Sequence, residues 1–323
     1  MKRFSNTRRT IIASIPMVLA SPLAFSQKDW PNKPIKIIVP FAPGGIADTL
    51  ARLLQPYYQV ALGQPIIVEN KTGASGTLAT SFVAKAAPDG YTFLLCLAAP
   101  QTLSQHLSKL DYDGIKDFSP VSLINTNPLV VLVNPSLPIN NIAELIAFAK
   151  ANPGKLNFSG AGGLTQFAGE ILKAQAGIDM VHVPYKGGAP AVTAAAAGET
   201  QLTFANYSDA ISWMNSGKLR AIAITSAKRF NLSPNLPTIS ETLPGFAVDG
   251  WSGLVAPAGT PRDIINKLSL VTQQTLKNTE VRKRMEAIGA TPVGDTPEEF
   301  QKFIQLESAK WANFVKQTGI KVD

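Results

Sequence analysis

The chain has 323 residues, 45% of them hydrophobic and 16% charged, with a formal net charge of +8. That length allows two ordinary domains, each with its own core, and the charge has no Lys/Arg stripe interleaved with aromatics, which argues against a nucleic-acid protein. The single cysteine, Cys96, excludes an intramolecular disulfide, and the two histidines, His106 and His182, have no Cys, His or carboxylate neighbour at ligand spacing, so a metal site or a Ser-His-Asp triad is poorly supported.

Residues 1–26 read as a secretory signal peptide. Lys2, Arg3, Arg8 and Arg9 form a basic start, residues 11–25 an apolar stretch too short and Pro-broken to span a bilayer, and Ala24-Phe25-Ser26 a small-residue cleavage point. An ordinary Sec signal fits best, with a loose twin-arginine match at Arg8-Arg9 as the alternative. No Cys stands at the cleavage point, which argues against a lipid anchor. Cleavage takes four basic and no acidic residues with it, so +8 falls to +4 over the remaining 297 residues.

The elements then follow in order. "IKIIVPF" predicts a buried strand, and residues 46–62 predict a helix with Leu50, Leu53, Leu54 and Tyr57 on one face, either kinked or ended early by Pro56. "PIIVEN" predicts a second strand, "KTGASGT" a glycine turn into a helix over 77–87, and "PDGYTFLLCL" a third strand carrying Cys96 as a buried, inert thiol. Strands alternating with helices in this way predict a parallel α/β sheet. Residues 119–140 read as a looser Pro- and Asn-containing stretch. The pattern restarts with strand "LVVLVNP", a helix over 141–151, strand "KLNFSG", helix "AGGLTQFAGEIL", strand "MVHVPY", an alanine-rich helix through Ala197, and strands "QLTFAN" and "LRAIAIT". From "GFAVDGWSGLVAPAGTP" onward the chain reads as helical. Thr260-Pro261 with Asp263, and Thr296-Pro297 with Glu299, are the start signals, and the last helix carries a packing face of Phe300, Phe303, Ile304, Trp311, Phe314 and Val315.

Two turns stand out. In "PFAPGGIADT" the chain passes through Gly44-Gly45 between strand and helix, where the first N–H groups of a helix are unpaired and sit at the positive end of its dipole. This is a candidate anion site, but the Lys and Ser/Thr of a phosphate-binding P-loop are replaced by Ile46, Ala47 and Asp48. In the second half Gly162-Gly163 repeats the register, with six residues separating each glycine pair from Arg52-Leu53-Leu54 or Glu170-Ile171-Leu172. Two matched turns suggest two lobes whose loops face each other across a cleft.

"PFAPGGIADTLAR", "VENKTGASGT", "PDGYTFLL", "KDFSPVSLI", "GAGGLTQFAGE", "VPYKGGAPAV" and "GWSGLVAPAGTP" together resemble the successive signature stretches of the tripartite tricarboxylate transporter receptors, or Bug proteins, over essentially the whole chain after the leader. The resemblance implies an α/β, two-lobed periplasmic binding protein of type II (Venus flytrap), with lobe 1 at 27–125 and 248–323, lobe 2 at 126–247, and crossovers near 119–130 and 245–252. It implies a small organic carboxylate as ligand, held by loop backbone and water. It also implies the periplasm of a Gram-negative bacterium, a membrane permease of one large and one small subunit as partner, a monomer, and no cofactor, metal or nucleic acid. Carried over, the ligand loops are Gly44, Gly45, Ile46, Ala47 and Asp48, and Gly160, Ala161, Gly162, Gly163, Leu164, Thr165 and Gln166; at Thr165 and Gln166 many relatives have Ser and His. Ser75, Gly76 and Thr77 form a third helix start, and Tyr185 and Lys186 a fourth, with Lys186 the cation available for a second carboxylate. Asn206 and Asp209 follow a strand at the end where α/β sheets place ligands. Asp48 either orients its own loop, compensates the helix dipole or receives an amino or hydroxyl group. An exported enzyme on the same fold is the competing reading; it lacks a convergent acid, base or nucleophile.

Overall fold

The computed structural model describes residues 30–319; the signal-peptide expectation for 1–26 lies outside them. The first half opens as expected. β1 (Ile35–Val39) pairs in parallel with β2 (Ile66–Asn70) on one side and with β3 (Thr92–Leu97) on the other. Between them run α1 (Ile46–Leu62) and α2 (Thr77–Ala84). Pro56 neither stops nor shortens α1, which continues to Leu62 and ends at Gly63 in the left-handed conformation, where the Gly63 N–H donates to the Gln59 carbonyl. The apolar face of α1 uses Tyr58 rather than Tyr57: Tyr58 is buried and its hydroxyl bonds Thr272 Oγ1 at 2.9 Å. After β3 the chain makes a π-type turn over Ala99–Leu103 and runs into α3 (Ser104–Leu107).

Residues 119–128 of the stretch read as loose continue the strand expected at "LVVLVNP" backwards. β4 (Phe118–Val133) is 16 residues long, and bulges at Pro120/Ser122 and Leu123/Asn125 absorb the residues that made it look irregular. It serves two halves in turn. From Phe118 to Pro128 it pairs antiparallel with β9 (Asp249–Pro257), and from Leu129 to Val133 with β7 (Leu202–Asn206). Pro128, at the changeover, has no N–H to give to either ladder.

The second half adds α4 (Ile142–Ala151), β5 (Asn157–Gly160), α5 (Leu164–Ala176), β6 (Val181–Pro184), α6 (Gly188–Ala197), α7 (Tyr207–Asn215) and β8 (Arg220–Ile224). β5 is parallel to β6 and β7, and β8 lies antiparallel on β4. The order β2-β1-β3-β9-β4-β7-β5-β6 is therefore mixed, not purely parallel as expected, because β9 inserts antiparallel between β3 and β4. The region from 249 to 257, read as the approach to a helical tail, is this strand.

The tail holds α8 (Arg262–Lys277), α9 (Thr279–Ala287), the short β10 (Thr291–Pro292) and α10 (Pro297–Thr318). Thr296 and Glu299 form the anticipated capping box. Thr260 does not cap α8: its hydroxyl donates to the Pro257 carbonyl, and Pro261 stands at the helix start. α10 presents its aromatic face to both halves, with Phe300 and Phe303 edge-on to Trp251 of β9 and Trp311 edge-on to Phe167 of α5. Cys96 is buried; its Sγ donates to the Gly253 carbonyl at 3.3 Å and burial pushes its pKa up, so the thiol is inert as expected.

The carboxylate of Asp249, the first residue of β9, is largely buried and accepts no hydrogen bond among the described residues. Burial pushes its carboxyl up to about 6, with Lys310 opposing and Glu307 adding to the rise. A folded pKa above the unfolded value near 3.9 means that stability is lost as pH rises from about 4 through 6. Asp249→Asn is expected to raise the melting temperature by a few degrees at pH 7.5, for roughly 1–2 kcal/mol, and to lose that advantage near pH 4. Thermal melts at the two pH values check it; equal melting temperatures at pH 7.5 would refute the assigned penalty.

Candidate functional site: a cavity ringed by helix starts

A cavity of about 250 Å3 opens where the ends of β1, β3, β5, β6 and β7 feed their following helices. Its wall is mostly backbone and small apolar side chains. Gly44, Gly45, Ile46 and Ala47 supply the start of α1; Ala161, Gly162, Gly163, Leu164 and Thr165 the start of α5; Lys186, Gly187, Gly188 and Ala189 the start of α6. The turn after β3 enters through Ala98 and Ala99, and Asn206 and Asp209 enter from the first turn of α7. Small residues are needed there so that backbone N–H groups reach the space. Among the described residues the N–H groups of Gly45, Ile46 and Ala47 find no intramolecular acceptor, and those of Gly163 and Leu164 none either. Helix starts of both halves thus point partial positive charge into one small volume.

Each glycine loop is tied by a side chain from its own helix. Asp48 accepts the Gly44 N–H at 3.0 Å, the Arg52 guanidinium at 2.9 Å and the Asn70 amide at 3.0 Å, while Asn70 also donates to the Phe41 carbonyl. Burial would raise the Asp48 carboxyl, but these donors outweigh it and hold the pKa below the usual value. Of the readings offered for Asp48, loop orientation is the one its bonds describe. In the other loop Thr165 Oγ1 accepts the Ala161 N–H and donates to the Gly162 carbonyl, both at 3.0 Å. Gly162 (φ +78°) leaves room for Ser75 of the first half, whose Oγ would stand 2.6 Å from any Cβ at that position. The loops of the two halves are in contact there.

The sequence-selected residues sort into two groups. The glycine-loop residues named above line the cavity together with Lys186, Asn206 and Asp209. Asp48, Ser75, Gly76, Thr77, Gly160, Gln166 and Tyr185 do not. Asp48 faces its own loop, Ser75 packs on Gly162, and Gly76 is buried against Phe41, Pro40 and Pro100. Thr77 turns its hydroxyl back to Ala74, and Gly160 lies over His182 Nε2 and Thr165 Oγ1. The Tyr185 hydroxyl leads away to Glu199 at 3.0 Å. Sequence reasoning missed Leu97 to Pro100, Gly187 to Pro190, Asn127, Gly250 and Trp251. Gly187-Gly188 before an alanine-rich helix repeated the glycine-pair signal and could have been found; Asn127, Gly250 and Trp251 sit in strands whose existence was not read.

Among the described residues, Lys186 and Asp209 are the ionisable ones in the wall, and no Ser, His, Cys or Tyr lines it. Among the described residues no group of three or more His, Cys, Asp or Glu is placed to hold a metal ion, and no helix is long and apolar enough to cross a membrane.

A mixed sheet whose central strand serves two halves, with a cavity ringed by loops from both, defines a two-lobed periplasmic binding protein of type II. The model of the tripartite tricarboxylate transporter family receptors matches residues 50–320, and the chain belongs to that family. It is 37% identical to the protein BugT of Bordetella pertussis over 309 residues, 94% of each chain. Among solved structures it is similar to a periplasmic transporter (39% identity, TM-score 0.86, covering 91% of this chain and all of that one). It is also similar to MatC of Rhodopseudomonas palustris with bound malate (33%, TM-score 0.83, 88% and 100%) and to an R. palustris protein with adipate (33%, TM-score 0.84, 91% and 99%).

Proposed function

We propose that this chain is a periplasmic receptor, without chemistry of its own, that captures a small organic carboxylate between its lobes and delivers it to a membrane permease of the tripartite tricarboxylate type. The lobes are taken as 27–125 with 248–323, and 126–247, and the receptor acts as a monomer. The observation that carries the reading is the convergence of unpaired helix-start amides on a small, otherwise neutral cavity. Carboxylate oxygens accept from such amides. Among the described residues the two ionisable side chains of the wall, Lys186 and Asp209, form no ion pair with each other and have no Ser, His, Cys or Tyr beside them in the lining to build a nucleophile–base constellation. The malate and adipate bound by the two R. palustris relatives support a diacid. Lys186 is then the partner of the second carboxylate.

A thermal-shift screen of residues 27–323 against mono-, di- and tricarboxylates, amino acids and aromatic acids tests this. A ligand at 100 times its Kd adds about 2.7 kcal/mol of stability, a shift of several degrees. An acid that stabilises the protein and is recovered unchanged supports the receptor, and Lys186→Ala is expected to weaken a diacid severalfold. No stabilising acid, or an acid consumed on incubation, would sink the reading and advance the enzyme alternative.

A further inference from the structure

Among the described residues Asp209 is the one carboxylate in the cavity wall, and a single donor reaches its side chain. It is the third residue of α7, and its Oδ2 accepts a single hydrogen bond, from Asn206 Nδ2 at 3.3 Å. Behind it runs a chain of amides that all donate in one direction. Asn125 donates to Asn127 at 3.0 Å, Asn127 to Asn206 at 3.2 Å, and Asn206 to Asp209. Asn125 and Asn127 are buried, and the line ends on Asp209, which as a carboxylate can only accept and so orients the Asn206 amide toward it, with no bond to Oδ1 among the described residues. On its other side the carboxylate presses against the backbone of Gly188, where a Cβ would lie 2.1 Å from Oδ2. Lys186 shares the wall but forms no ion pair with it among the described residues. A largely buried carboxylate is costly without a cation, and burial raises the Asp209 pKa against the Asn206 bond.

An anion-binding cavity that holds an unpaired carboxylate selects against a second negative group at that point and for a positive one. Resting on the carboxylate-receptor reading, we propose that Asp209 is the specificity-determining residue of the cavity, accepting hydrogen bonds from an ammonium group on the ligand. The preferred substrates are then amino carboxylates, with the carboxylate at the glycine loops and the ammonium at Asp209. A hydroxyl would supply one donor and no charge, so it gains less.

Isothermal titration of the protein, purified from cells exporting the full chain, tests this with three matched sets: propanoate, lactate and alanine; succinate, malate and aspartate; glutarate, 2-hydroxyglutarate and glutamate. In at least one set the amino member is expected to bind tenfold or more tightly than the unsubstituted acid. Asp209→Asn is expected to weaken the amino member at least tenfold and to strengthen the unsubstituted acid, because a like charge is gone. Asp209→Ser serves as the second variant should the first fail to fold. Equal affinities for amino and unsubstituted acids, a hydroxy member tighter than the amino one, or a preference that survives the substitution overturns the assignment and leaves the carboxylate reading standing. Binding by none of the nine also overturns it, and silence of the aromatic and tricarboxylic acids as well removes the parent reading.

Discussion

Gly163→Val is expected to lower affinity for the best-bound acid about a hundredfold while the chain stays folded. Gly163 has φ +55° and ψ −131°, a combination open to glycine and closed to a β-branched residue. Gly162 before it is also left-handed and already in contact with Ser75, so the strain cannot be passed back along the loop. The loop must reopen, and the Gly163 and Leu164 amides leave their places. A hundredfold loss is about 2.7 kcal/mol, comparable with two charge-assisted hydrogen bonds. Gly162 and Gly163 belong to neither hydrophobic cluster and only the Leu164 side chain of the loop packs against them, so the loss should be far larger in a calorimetric titration than in the far-UV melt. Binding within threefold of the wild type would mean that these amides do not hold the ligand.

Asp48→Ala is expected to cost about 2 kcal/mol of stability at pH 7 and to loosen the first loop. The carboxylate is buried and satisfies three donors at once, the Gly44 N–H, Arg52 and Asn70. Arg52 is half exposed and recovers water when released, which keeps the figure below that of a fully buried pair. Because its folded pKa is depressed, the contribution is present above the unfolded value near 3.9 and disappears as pH falls through the lowered one. Denaturant unfolding of both proteins at pH 7 and again near pH 3 should show the gap narrowing. A gap that is the same at both pH values would rule out the ionised carboxylate as its source.

The glycine loops were legible because their signal is local. A glycine pair between an apolar run and an amphipathic helix has one economical reading, and Gly44-Gly45 and Gly162-Gly163 line the cavity as a pair of such turns should. The part of β4 before Leu129 was illegible for the opposite reason, while its end was read as the strand "LVVLVNP". Pro120, Asn125, Asn127 and Pro128 break the strand pattern, and what retains the strand is partners more than a hundred residues away in β9. The antiparallel insertion of β9 likewise leaves no local mark. Tyr185 was misplaced because a loop tyrosine beside a glycine turn says nothing about which way its ring points; here Glu199 decides it. Asp48 was the reverse case, an acid that looked wrong for an anion site until its donors came from the loop itself.

The seat of β9 between β3 and β4 also dictates a timetable. A chain growing from its amino end completes β1, β2 and β3 long before the strand that belongs beside β3 exists; the Cys96–Gly253 contact alone spans 157 residues. Until then β3 faces an empty slot, and closure awaits contacts of long sequence separation, which form slowly. For the exported receptor proposed above, that delay is useful, since a chain that must pass a translocation channel has to stay pliable until it has crossed. The same open slot is an unpaired strand edge, and a chain cut short before residue 249 would offer it to its neighbours as a template for aggregation.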